Sequence, residues 1–488
     1  MPPAAKRSSN SSALVLPRGR RSLATLSREQ VAANQRLRIL LATIDVVGEQ
    51  GYAASTIVDV AARAGVSRKS FYAQFASKRE CFLATYDLVS AEGMRRVQDA
   101  YRETEGWPQR VEAAIRALFD AAIENPGAVR LSMVEIGALG PAGIERREGA
   151  IVAYERFIRD ALELAPIESP PTPAVDTALK AVVGGLRAVL YRRVLSGKHT
   201  ELLELVPDLV TWATSYYPPA QAILSEPPSS AVSGPRTHPA PEGGRAPGTL
   251  FPRALSNGRR GFARSEKNLS RSFVIHSQRE RILDAVTNLT AAGGFTGLTV
   301  EDIVAEAAVS REAFYEHFTS KQDAFLVAYQ LGHTKGLGIV ERAYAAETDW
   351  RKGVRAAIAA LLDFLASEPS FAHIALLDTL TATPHSAERS QAGLTAYAQM
   401  LLPGFEQAPE HNKPPPITIE AITGGLFELC SHYAAQDRTH QLTELTTHAT
   451  YIALAPFIGT EQAARVANED PIAPDAQAGL MNSIGSTR

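Results

Sequence analysis

The sequence is poor in the residues and patterns on which disulfide, metal and membrane chemistry depend. Its 488 residues include two cysteines, Cys81 and Cys430, which are too few and too far apart for a disulfide framework. No apolar run approaches the roughly 18 residues that cross a bilayer, and the histidines lack metal-ligand spacing. No nucleophile, base and orienting group form a catalytic motif. We therefore expect a cytoplasmic protein that is not an enzyme, uses no cofactor or metal and has no membrane partner.

Acidic residues are scarce in two stretches, although the formal net charge of the whole chain is only -2. The basic residues before Glu29 are Lys6, Arg7, Arg18, Arg20, Arg21 and Arg28, and those around Glu266 are Arg253, Arg259, Arg260, Arg264, Lys267 and Arg271. Basic segments suit a polyanion such as nucleic acid. Segments of this kind also simply keep a chain soluble, and the sequence leaves both interpretations open.

What the chain does contain is one long segment twice. Residues 35–86 and 278–329 align at a constant offset of 243, with 22 identities over 52 positions and no gap. Because a repeat of this length occurs only twice, it indicates a duplicated domain rather than a solenoid. Further along, Gly184-Gly185-Leu186 matches Gly424-Gly425-Leu426 at an offset of 240, so the duplication extends beyond the first segment.

Within each copy the pattern predicts three short helices and no strand. Thr56 and Asp59 form a near capping box at the start of the second helix, and Gly51 is placed as the left-handed residue that ends the first. Gly65 lies in a tight turn, and Ser67 caps a third helix that carries Phe71. Two short helices joined by a tight turn are typical of the helix-turn-helix unit, whose second helix enters the DNA major groove.

The run from Thr56 to Lys78 resembles the N-terminal signature of the TetR/AcrR family of bacterial transcriptional regulators, and the second copy repeats it. The resemblance implies an all-α fold with two tandem copies, each an N-terminal three-helix helix-turn-helix domain followed by a C-terminal helical ligand-binding and dimerisation domain. The expected organisation is a disordered basic arm at 1–30, helix-turn-helix domains at 33–93 and 276–336, helical domains at 94–217 and 337–462, a Pro/Gly/Ser/Arg-rich linker at 218–274 and a disordered tail at 463–488.

The resemblance also assigns DNA contacts to positions of this sequence. In the family, positions matching Lys69, Ser70 and Ala73 contact base edges, while those matching Thr56, Ser67, Tyr72 and Lys78 hold phosphates. The complete set is Thr56, Ser67, Arg68, Lys69, Ser70, Tyr72, Ala73 and Lys78 in copy one, and Thr299, Ser310, Arg311, Glu312, Tyr315 and Lys321 in copy two. These residues make a double-stranded DNA operator the expected partner and the nucleoid the expected location.

Lys78 raises a physical question of its own. A cation in the first turn of a helix opposes the macrodipole at a cost of about 0.3–1 kcal/mol. Lys321 nevertheless repeats it in copy two. A phosphate bound at this helix start would explain the lysine, because amides and ammonium would share one anion. Local neutralisation by Glu80 and Asp323 is the alternative.

The glycine pairs Gly184-Gly185 and Gly424-Gly425 lie inside helical patterns, where each glycine costs about 1 kcal/mol relative to alanine. Close approach of two helices would compensate that cost, and a helix kink or break is the alternative. In the family this region belongs to the dimerising helices. We therefore expect the two copies to pair within one chain as an intrachain pseudo-dimer, and a homodimer of two chains stays open.

The two copies differ where DNA would be read. At the outward positions Lys69, Ser70, Ala73 and Gln74, copy two has Glu312, Ala313, Glu316 and His317. Carboxylates four residues apart repel each other and approach a polyanion unfavourably, although a glutamate can accept a hydrogen bond from cytosine. Copy two is therefore either a reader with a different code or a degenerate domain.

Two functions remain. The first is a sequence-specific DNA-binding transcriptional regulator, normally a repressor, that leaves its operator when an unknown small-molecule effector binds the helical domain. The second is a helical small-molecule sensor or interaction protein with weak or no DNA binding. The basic arms and the copy-one helix favour the first function, and the acidic copy-two helix favours the second.

Overall fold

The computed structural model describes residues 28–163, 173–217, 271–295, 297–378, 384–410 and 413–469. Within these ranges every regular element is a helix, which confirms the all-α fold predicted from the sequence. The predicted basic arm before residue 28, nearly all of the predicted linker and the end of the predicted tail lie outside the described residues.

The described part of copy one follows the order expected for one helix-turn-helix domain and one helical domain. Its helices are α1 (Arg28–Ala54), α2 (Ile57–Ala64), α3 (Arg68–Tyr72), α4 (Lys78–Arg102), α5 (Trp107–Glu124), α6 (Pro126–Met133), α7 (Pro141–Glu163), α8 (Pro173–Leu195) and α9 (Val206–Thr214), with 3₁₀ segments at Glu135–Leu139 and His199–Leu205. We refer to the part of copy one after residue 93 as the copy-one body.

Copy two repeats this order. Its helices are α10 (Arg271–Gly293), α11 (Val300–Ala307), α12 (Arg311–His317), α13 (Lys321–Ala345), α14 (Trp350–Ser367), α15 (Pro369–His373), α16 (Pro384–Ala398), α17 (Gly404–Gln407), α18 (Ile417–Ala435), α19 (Thr446–Ile458) and α20 (Thr460–Ala467), with a π-helical segment at Ile374–Asp378 and 3₁₀ segments at Gln399–Leu401 and Thr439–Leu445. Helices α10 to α16 correspond to α1 to α7, and α18 and α19 correspond to α8 and α9. The part after residue 336 is the copy-two body.

The chain divides into two compact units, with the boundary between Leu88 and Val89, inside α4. The first unit contains the copy-one helix-turn-helix domain, and its core includes Phe71 and Phe75. The second unit contains both bodies together with the copy-two helix-turn-helix domain, whose Phe314 belongs to the same continuous core as the bodies. The two helix-turn-helix domains are therefore parts of different units.

Three local features differ from the sequence-based expectation. Helix α10 begins at Arg271, inside the stretch predicted as linker up to 274, and α20 covers Thr460–Ala467, where a disordered tail was predicted from 463. The helix α20 packs against α19 and buries Ala463 and Ala464, which a composition-based assignment to disorder overlooks. Gly51 has φ 81° and ψ 164°, so it is glycine-specific but not in the left-handed helical region.

The glycine pairs predicted to permit close helix approach lie at the contact between α8 and α18, which is the most extensive helix–helix contact in the second unit. A Cβ on Gly424 would lie 2.2 Å from the Cβ of Ala188, and one on Gly425 would lie 2.7 Å from the carbonyl oxygen of Ala181. Both helices continue through their glycines without a break. Close approach, rather than a kink, therefore explains the glycines.

The contacts between α8 and α18 are reciprocal. A Cβ on Gly185 would meet the carbonyl oxygen of Ala421 at 2.6 Å, just as one on Gly425 would meet that of Ala181. Ala181 and Ala421, like Gly185 and Gly425, are corresponding positions of the two copies, separated by the same 240 residues. Reciprocity of this kind is the property of an interface between two related surfaces.

No single helix among the described residues is long and apolar enough to cross a membrane. One pair, Trp350–Ser367 with Pro369–Asp378, reaches that length and composition only when its two parts are taken together, and they are bent by 107°.

The glycine contacts predict that Gly425→Ala destabilises the second unit by about 1–3 kcal/mol, because the new methyl group meets backbone that does not move aside as a flexible side chain would. Intrinsic helix propensity alone would favour the alanine by about 1 kcal/mol. The matched control is Gly338→Ala in α13, where the nearest atom to a new Cβ is the Arg342 guanidinium nitrogen at 3.5 Å. Thermal unfolding followed by circular dichroism measures both. A midpoint for Gly425→Ala at or above that of the control would contradict the packing argument.

Candidate DNA-binding surfaces

The start of α2 has the capping box that the sequence predicts. The backbone N–H of Asp59 donates to Thr56 Oγ1 at 3.2 Å, and the backbone N–H of Thr56 donates to Asp59 Oδ2 at 3.0 Å. Thr299 and Asp302 make the same pair of bonds at α11, at 3.1 and 3.0 Å. Hydrogen bonds from the threonine hydroxyl and backbone lower the pKa of Asp59, so the cap stays ionised at neutral pH.

In the same capping box the hydroxyl proton of Thr56 is used in a hydrogen bond within the protein. Thr56 Oγ1 donates to Asp59 Oδ2 at 2.7 Å, and Thr299 Oγ1 donates to Asp302 Oδ2 in the same way at 2.6 Å. A hydroxyl that already donates within the protein must break that bond before it can donate to a phosphate. The side chains of Thr56 and Thr299 therefore primarily fix where α2 and α11 begin.

The turn after α2 holds the two helices of the motif in place, and an arginine from α1 supports it. Gly65 is in the left-handed region with φ 62°, and the guanidinium of Arg38 donates to the carbonyl oxygens of Ala64 and Gly65. Copy two has Ala308 at this turn with φ 51°, and Arg281 reaches its carbonyl oxygen only at 3.3 Å. A left-handed non-glycine residue costs roughly 1–2 kcal/mol, so the copy-two turn is the more strained one.

Helix α3 is the helix predicted to read DNA in copy one, and its inner side is fixed by aromatic packing. Ser67 Oγ accepts from the backbone N–H of Ser70 at 3.0 Å and thereby caps the helix. Phe71 and Phe75 are buried, with their ring centroids 5.8 Å apart. Tyr72 packs edge-on against Phe71, yet half of its surface stays exposed. One side of the Tyr72 ring is thus packed against the core, and the rest of the side chain is open to solvent.

The exposed side of α3 agrees with most, but not all, of the predicted base-reading positions. Lys69 and Ala73 are exposed, as is Arg68. Ser70 is half-buried, and its hydroxyl lies 3.0 Å from that of Ser67. Its counterpart Ala313 is buried, which corrects the expectation that this position points outward in both copies. This position lies on the side of the helix that borders the domain core, whereas Tyr72 and Tyr315, on the other side of the same phenylalanines, are exposed.

Helix α12 has the same architecture with the opposite electrostatics. Ser310 caps it through the backbone N–H of Ala313 at 3.0 Å, and Tyr315 is as exposed as Tyr72, at 49% and 50%. Glu312 and Glu316 are both exposed. The guanidinium of Arg311 lies 2.9 Å from a carboxylate oxygen of Glu301, and it lies over the ring of Tyr315.

The acidic residue Glu301 in α11 has no acidic counterpart in copy one. The corresponding residue of copy one is Val58, which is 54% exposed. The arginine that both copies place on the recognition helix is therefore free of an acidic neighbour from α2 in copy one and paired with one in copy two. The pair is solvent-exposed, with both side chains above 60%, so it adds little stability but does offset the positive charge locally.

The charge difference between the two surfaces is large when corresponding stretches are counted. Residues 56–78 contain four basic residues and one acidic residue, a net charge of +3. Residues 299–321 contain two basic and five acidic residues, a net charge of -3 with histidine neutral. DNA carries one negative charge per roughly 1.7 Å of helix axis, so a reversal of this size changes the affinity for any sequence.

Lys78 and Lys321 have structural partners that the sequence did not reveal. The ammonium of Lys78 donates to the carbonyl oxygens of Tyr52 and Ser55 at 2.8 and 2.9 Å and lies over the ring of Tyr52. Lys321 does the same with Phe295 and Leu298, at 3.4 and 2.7 Å. Burial lowers the pKa of Lys78.

The carboxylate of Glu80, the predicted local neutraliser of Lys78, instead accepts from the backbone N–H of Ala76 at 2.7 Å. The lysine therefore satisfies carbonyls at the C-terminal end of α1, and this explains its position at the start of α4 without any anion. Neither of the two explanations offered from the sequence describes its contacts.

Three further residues of this surface, Arg38, Arg281 and Glu301, were not among the predicted ones. Arg38 and Arg281 occupy corresponding positions of the two copies, so a comparison of the copies could have identified both. Glu301 could have been found by extending the charge comparison from the recognition helix to the preceding one. Among the described residues no cluster of three or more histidine, cysteine, aspartate or glutamate side chains could hold a metal ion.

Comparison with known proteins gives two matches of the same kind within this chain. Residues 39–85 and 282–328 each match the family described as bacterial regulatory proteins, tetR family. A segment of 86 residues is 36% identical to the HTH-type transcriptional activator FasR of Mycolicibacterium smegmatis, which corresponds to 18% of this chain and 39% of FasR. The chain therefore spans about two fifths of the length of this curated relative.

Solved structures that match part of this chain include the fatty acid degradation regulator FadR of Bacillus halodurans, with 16% identity over 37% of this chain and 94% of that protein, at a TM-score of 0.33. A TetR-like transcriptional regulator from Rhodococcus sp. RHA1 is 18% identical over 38% of this chain and 96% of that protein, at a TM-score of 0.30.

The contacts of Lys78 predict that Lys78→Ala lowers the free energy of unfolding of the first unit by about 1–3 kcal/mol, because two carbonyl oxygens lose their donor. Arg79→Ala is the control, because Arg79 is the neighbouring residue and is exposed, and its substitution removes the same charge. Hydrogen exchange of the backbone amides of α1 and α2 measures the effect in the full chain. Equal protection in the two variants would show that the ammonium has no structural role.

Proposed function

We propose that this chain is a tandem regulator of the tetR family of bacterial regulatory proteins. It represses transcription by binding a specific double-stranded DNA operator, mainly through copy one. The single observation that carries the proposal is the exposed, positively charged outer side of α3 on a rigid helix-turn-helix core. Arg68 and Lys69 are exposed there and Phe71 anchors the helix from within. The nucleoid in the cytoplasm is the corresponding location.

The contacts fall into two groups. Lys69 and Ala73 would read base edges, and Arg68 would contact either a base or the backbone. Tyr72 and Ser67 would contact phosphates, with the tyrosine ring held against Phe71 so that little side-chain entropy is lost on binding. Ser70, Thr56 and Lys78 support this surface from within the protein through the hydrogen bonds described above.

Copy two would contribute weakly to affinity and differently to specificity. Thr299, Ser310 and Tyr315 keep the framework of the surface, and Lys321 keeps its structural contacts. Arg311 is paired with Glu301, and Glu312 stands where copy one has Lys69. A glutamate in the major groove accepts from cytosine, whereas it repels phosphates in every sequence. Copy two would therefore impose a weak preference of its own.

The pairing of the bodies supports the view that the two copies imitate the usual two-chain dimer within one polypeptide. The contact between α8 and α18 is tight and reciprocal, as described above. The domains would then be 33–93 and 276–336 for DNA, and 94–217 and 337–462 for pairing and for an effector. A small molecule that binds a body would release the operator. The relative FasR is named an activator, so the direction of regulation is a separate measurement.

A second candidate function has one observation in its favour. The net charge of -3 over residues 299–321 is unfavourable for a DNA reader, which fits a sensor or interaction protein that binds DNA weakly or not at all. Sequencing the DNA fragments that the purified full chain retains, with and without extract of small molecules, separates the two. Retention of a specific fragment that the extract abolishes supports the regulator, and no enrichment under any condition supports the sensor.

The asymmetry of the two surfaces predicts an asymmetric operator, because two identical half-sites are required only when the two readers are identical. One half-site should be strongly specified and the other weakly. The double variant Glu312→Lys/Glu316→Ala should raise affinity, more so at low salt, and shift the selected site toward symmetry. Lys69→Ala should change preference at one or two base pairs by about 1–3 kcal/mol.

Glu201→Lys is the control for added positive charge, since Glu201 is exposed on the copy-one body. Two half-sites of equal information content selected by the unmodified protein would contradict the predicted asymmetry. An equal gain in affinity from Glu201→Lys would show that only net charge matters.

Pairing within one chain predicts that the two halves stay together when the segment between them is cut. A protease site placed between residues 217 and 271 leaves all described contacts intact. The two fragments should elute together on gel filtration at micromolar concentration, because the tight glycine contact buries apolar surface of both bodies. The control is the cut protein carrying Gly425→Ala, which should elute partly as separate fragments. Complete separation of the unmodified halves would refute the pairing.

A further inference from the structure

The contact between the two bodies contains a hydrogen bond that depends on a proline of copy two. Pro456 lies inside α19 and has no N–H, so the carbonyl oxygen of Ile452, four residues earlier, lacks its helical donor. The hydroxyl of Tyr216, from the end of the copy-one body, donates to that oxygen at 3.0 Å. Both groups are buried, so the bond satisfies two polar groups that would otherwise be costly.

The corresponding positions show that this bond cannot be made by two identical bodies. At the offset of 240, the counterpart of Tyr216 is Pro456 itself, and the counterpart of Ile452 is Trp212. A pair of copy-two bodies would leave the Ile452 oxygen without a donor. A pair of copy-one bodies would bring Tyr216 against the Trp212 carbonyl, which already accepts from the N–H and hydroxyl of Ser215.

Charges at the contact between α8 and α18 are divided between the copies in the same one-sided way. The guanidinium of Arg193 donates to both carboxylate oxygens of Glu420, at 3.0 and 3.3 Å. Arg187 lies 3.9 Å from Glu428, with both side chains about 15% exposed. The basic partners are both on copy one and the acidic partners both on copy two.

The counterparts of these acids again exclude a self-pair. Lys180 corresponds to Glu420 and Ala188 corresponds to Glu428. In a pair of copy-one bodies Arg193 would face Lys180, and Arg187 would face an alanine, twice each by symmetry. Leaving a poorly solvated charge unpaired or beside a like charge is strongly unfavourable.

A pair of copy-two bodies would place Phe427, the counterpart of Arg187, against Glu428. The nearby contact of Glu148 with His432 does not distinguish an unlike pair from a pair of copy-one bodies. In a pair of copy-one bodies Arg192, the counterpart of His432, could pair with the Glu148 carboxylate instead.

We propose that the two bodies carry matched but non-interchangeable pairing surfaces, so that a copy-one body selects a copy-two body and rejects a second copy-one body. The selection has two independent parts, the Tyr216–Ile452 hydrogen bond made available by Pro456 and the arginine–glutamate pairs Arg193–Glu420 and Arg187–Glu428. The inference rests on the pairing part of the proposed function and not on DNA binding. The partner surface that the copy-one body fits is therefore acidic along α18 and, in α19, offers the Ile452 carbonyl oxygen, which has no helical donor because of Pro456.

The first test is a double-mutant cycle in the full chain. Tyr216→Phe leaves the Ile452 oxygen without a donor and should lower the apparent thermal midpoint by about 2–4 °C. Pro456→Ala gives α19 an N–H for that oxygen, so Tyr216→Phe should cost much less in the Pro456→Ala background. Tyr217→Phe is the matched control, because Tyr217 is the neighbouring residue and is 45% exposed. An equal loss from Tyr216→Phe in both backgrounds would overturn the role of the proline.

The second test measures selection directly. The protein cut between residues 217 and 271 is exposed to mild urea, returned to buffer and weighed by native mass spectrometry. The proposal expects pairs of unlike fragments in at least about tenfold excess over pairs of like fragments. A mixture near the statistical ratio of about 1:2:1 would overturn selection while leaving pairing intact. Single fragments alone would overturn both, whereas loss of DNA binding would affect neither result.

The charge part has its own variant in the same measurement. Lys180→Glu with Glu420→Lys exchanges the charges of corresponding positions, so a pair of copy-one bodies gains Arg193–Glu contacts and the unlike pair loses its own. Like pairs of copy-one fragments should then appear. The control variant is Glu201→Lys, which changes a charge outside the contact between α8 and α18. An unchanged excess of unlike pairs in the exchanged variant would overturn the contribution of the arginine–glutamate pairs.

Discussion

The approach of α8 to α18 through four glycines is the constraint on which the second unit depends. Helix axes this close leave no room for a Cβ, so each glycine is required by its neighbour on the other copy rather than by its own helix. The short distance also brings Arg193 within reach of Glu420 and places the end of α9 beside α19. The polar contacts between the copies are therefore consequences of the backbone packing.

Local features of the fold could be predicted well from the sequence. The capping box of Thr56 and Asp59 depends on residues three apart, and the buried side of α3 depends on Phe71 and Phe75, four apart, so a short window contains the whole interaction. The acidic character of copy two was also visible, because a constant offset compares each residue with its counterpart. Lys78 was not predictable in this way, because its acceptors lie 23 and 26 residues earlier in the chain.

Some contacts are the same in the two copies, and others differ between them. Residues that hold the helix-turn-helix domain together, such as Arg38 and Lys78, recur with the same partners in copy two. On the outer surface Lys69 is replaced by Glu312, and at the contact between the bodies the charged residues Arg193 and Glu420 have no equivalent charge at the corresponding position, although the glycines there do recur. The supporting contacts of the helix-turn-helix domain are thus shared by the two copies, whereas the charge of the outer side of the third helix differs between them.

The presence of both pairing helices on one polypeptide has a consequence for how the protein behaves when it is scarce. Two separate chains must meet before they can form α8–α18 contacts, and at a few molecules per cell that encounter limits the paired fraction. When both bodies lie on one polypeptide, the effective concentration of the second body does not depend on the concentration of the chain. For the proposed pairing within one chain, association would be first order, so dilution during cell growth and division would leave the paired fraction unchanged.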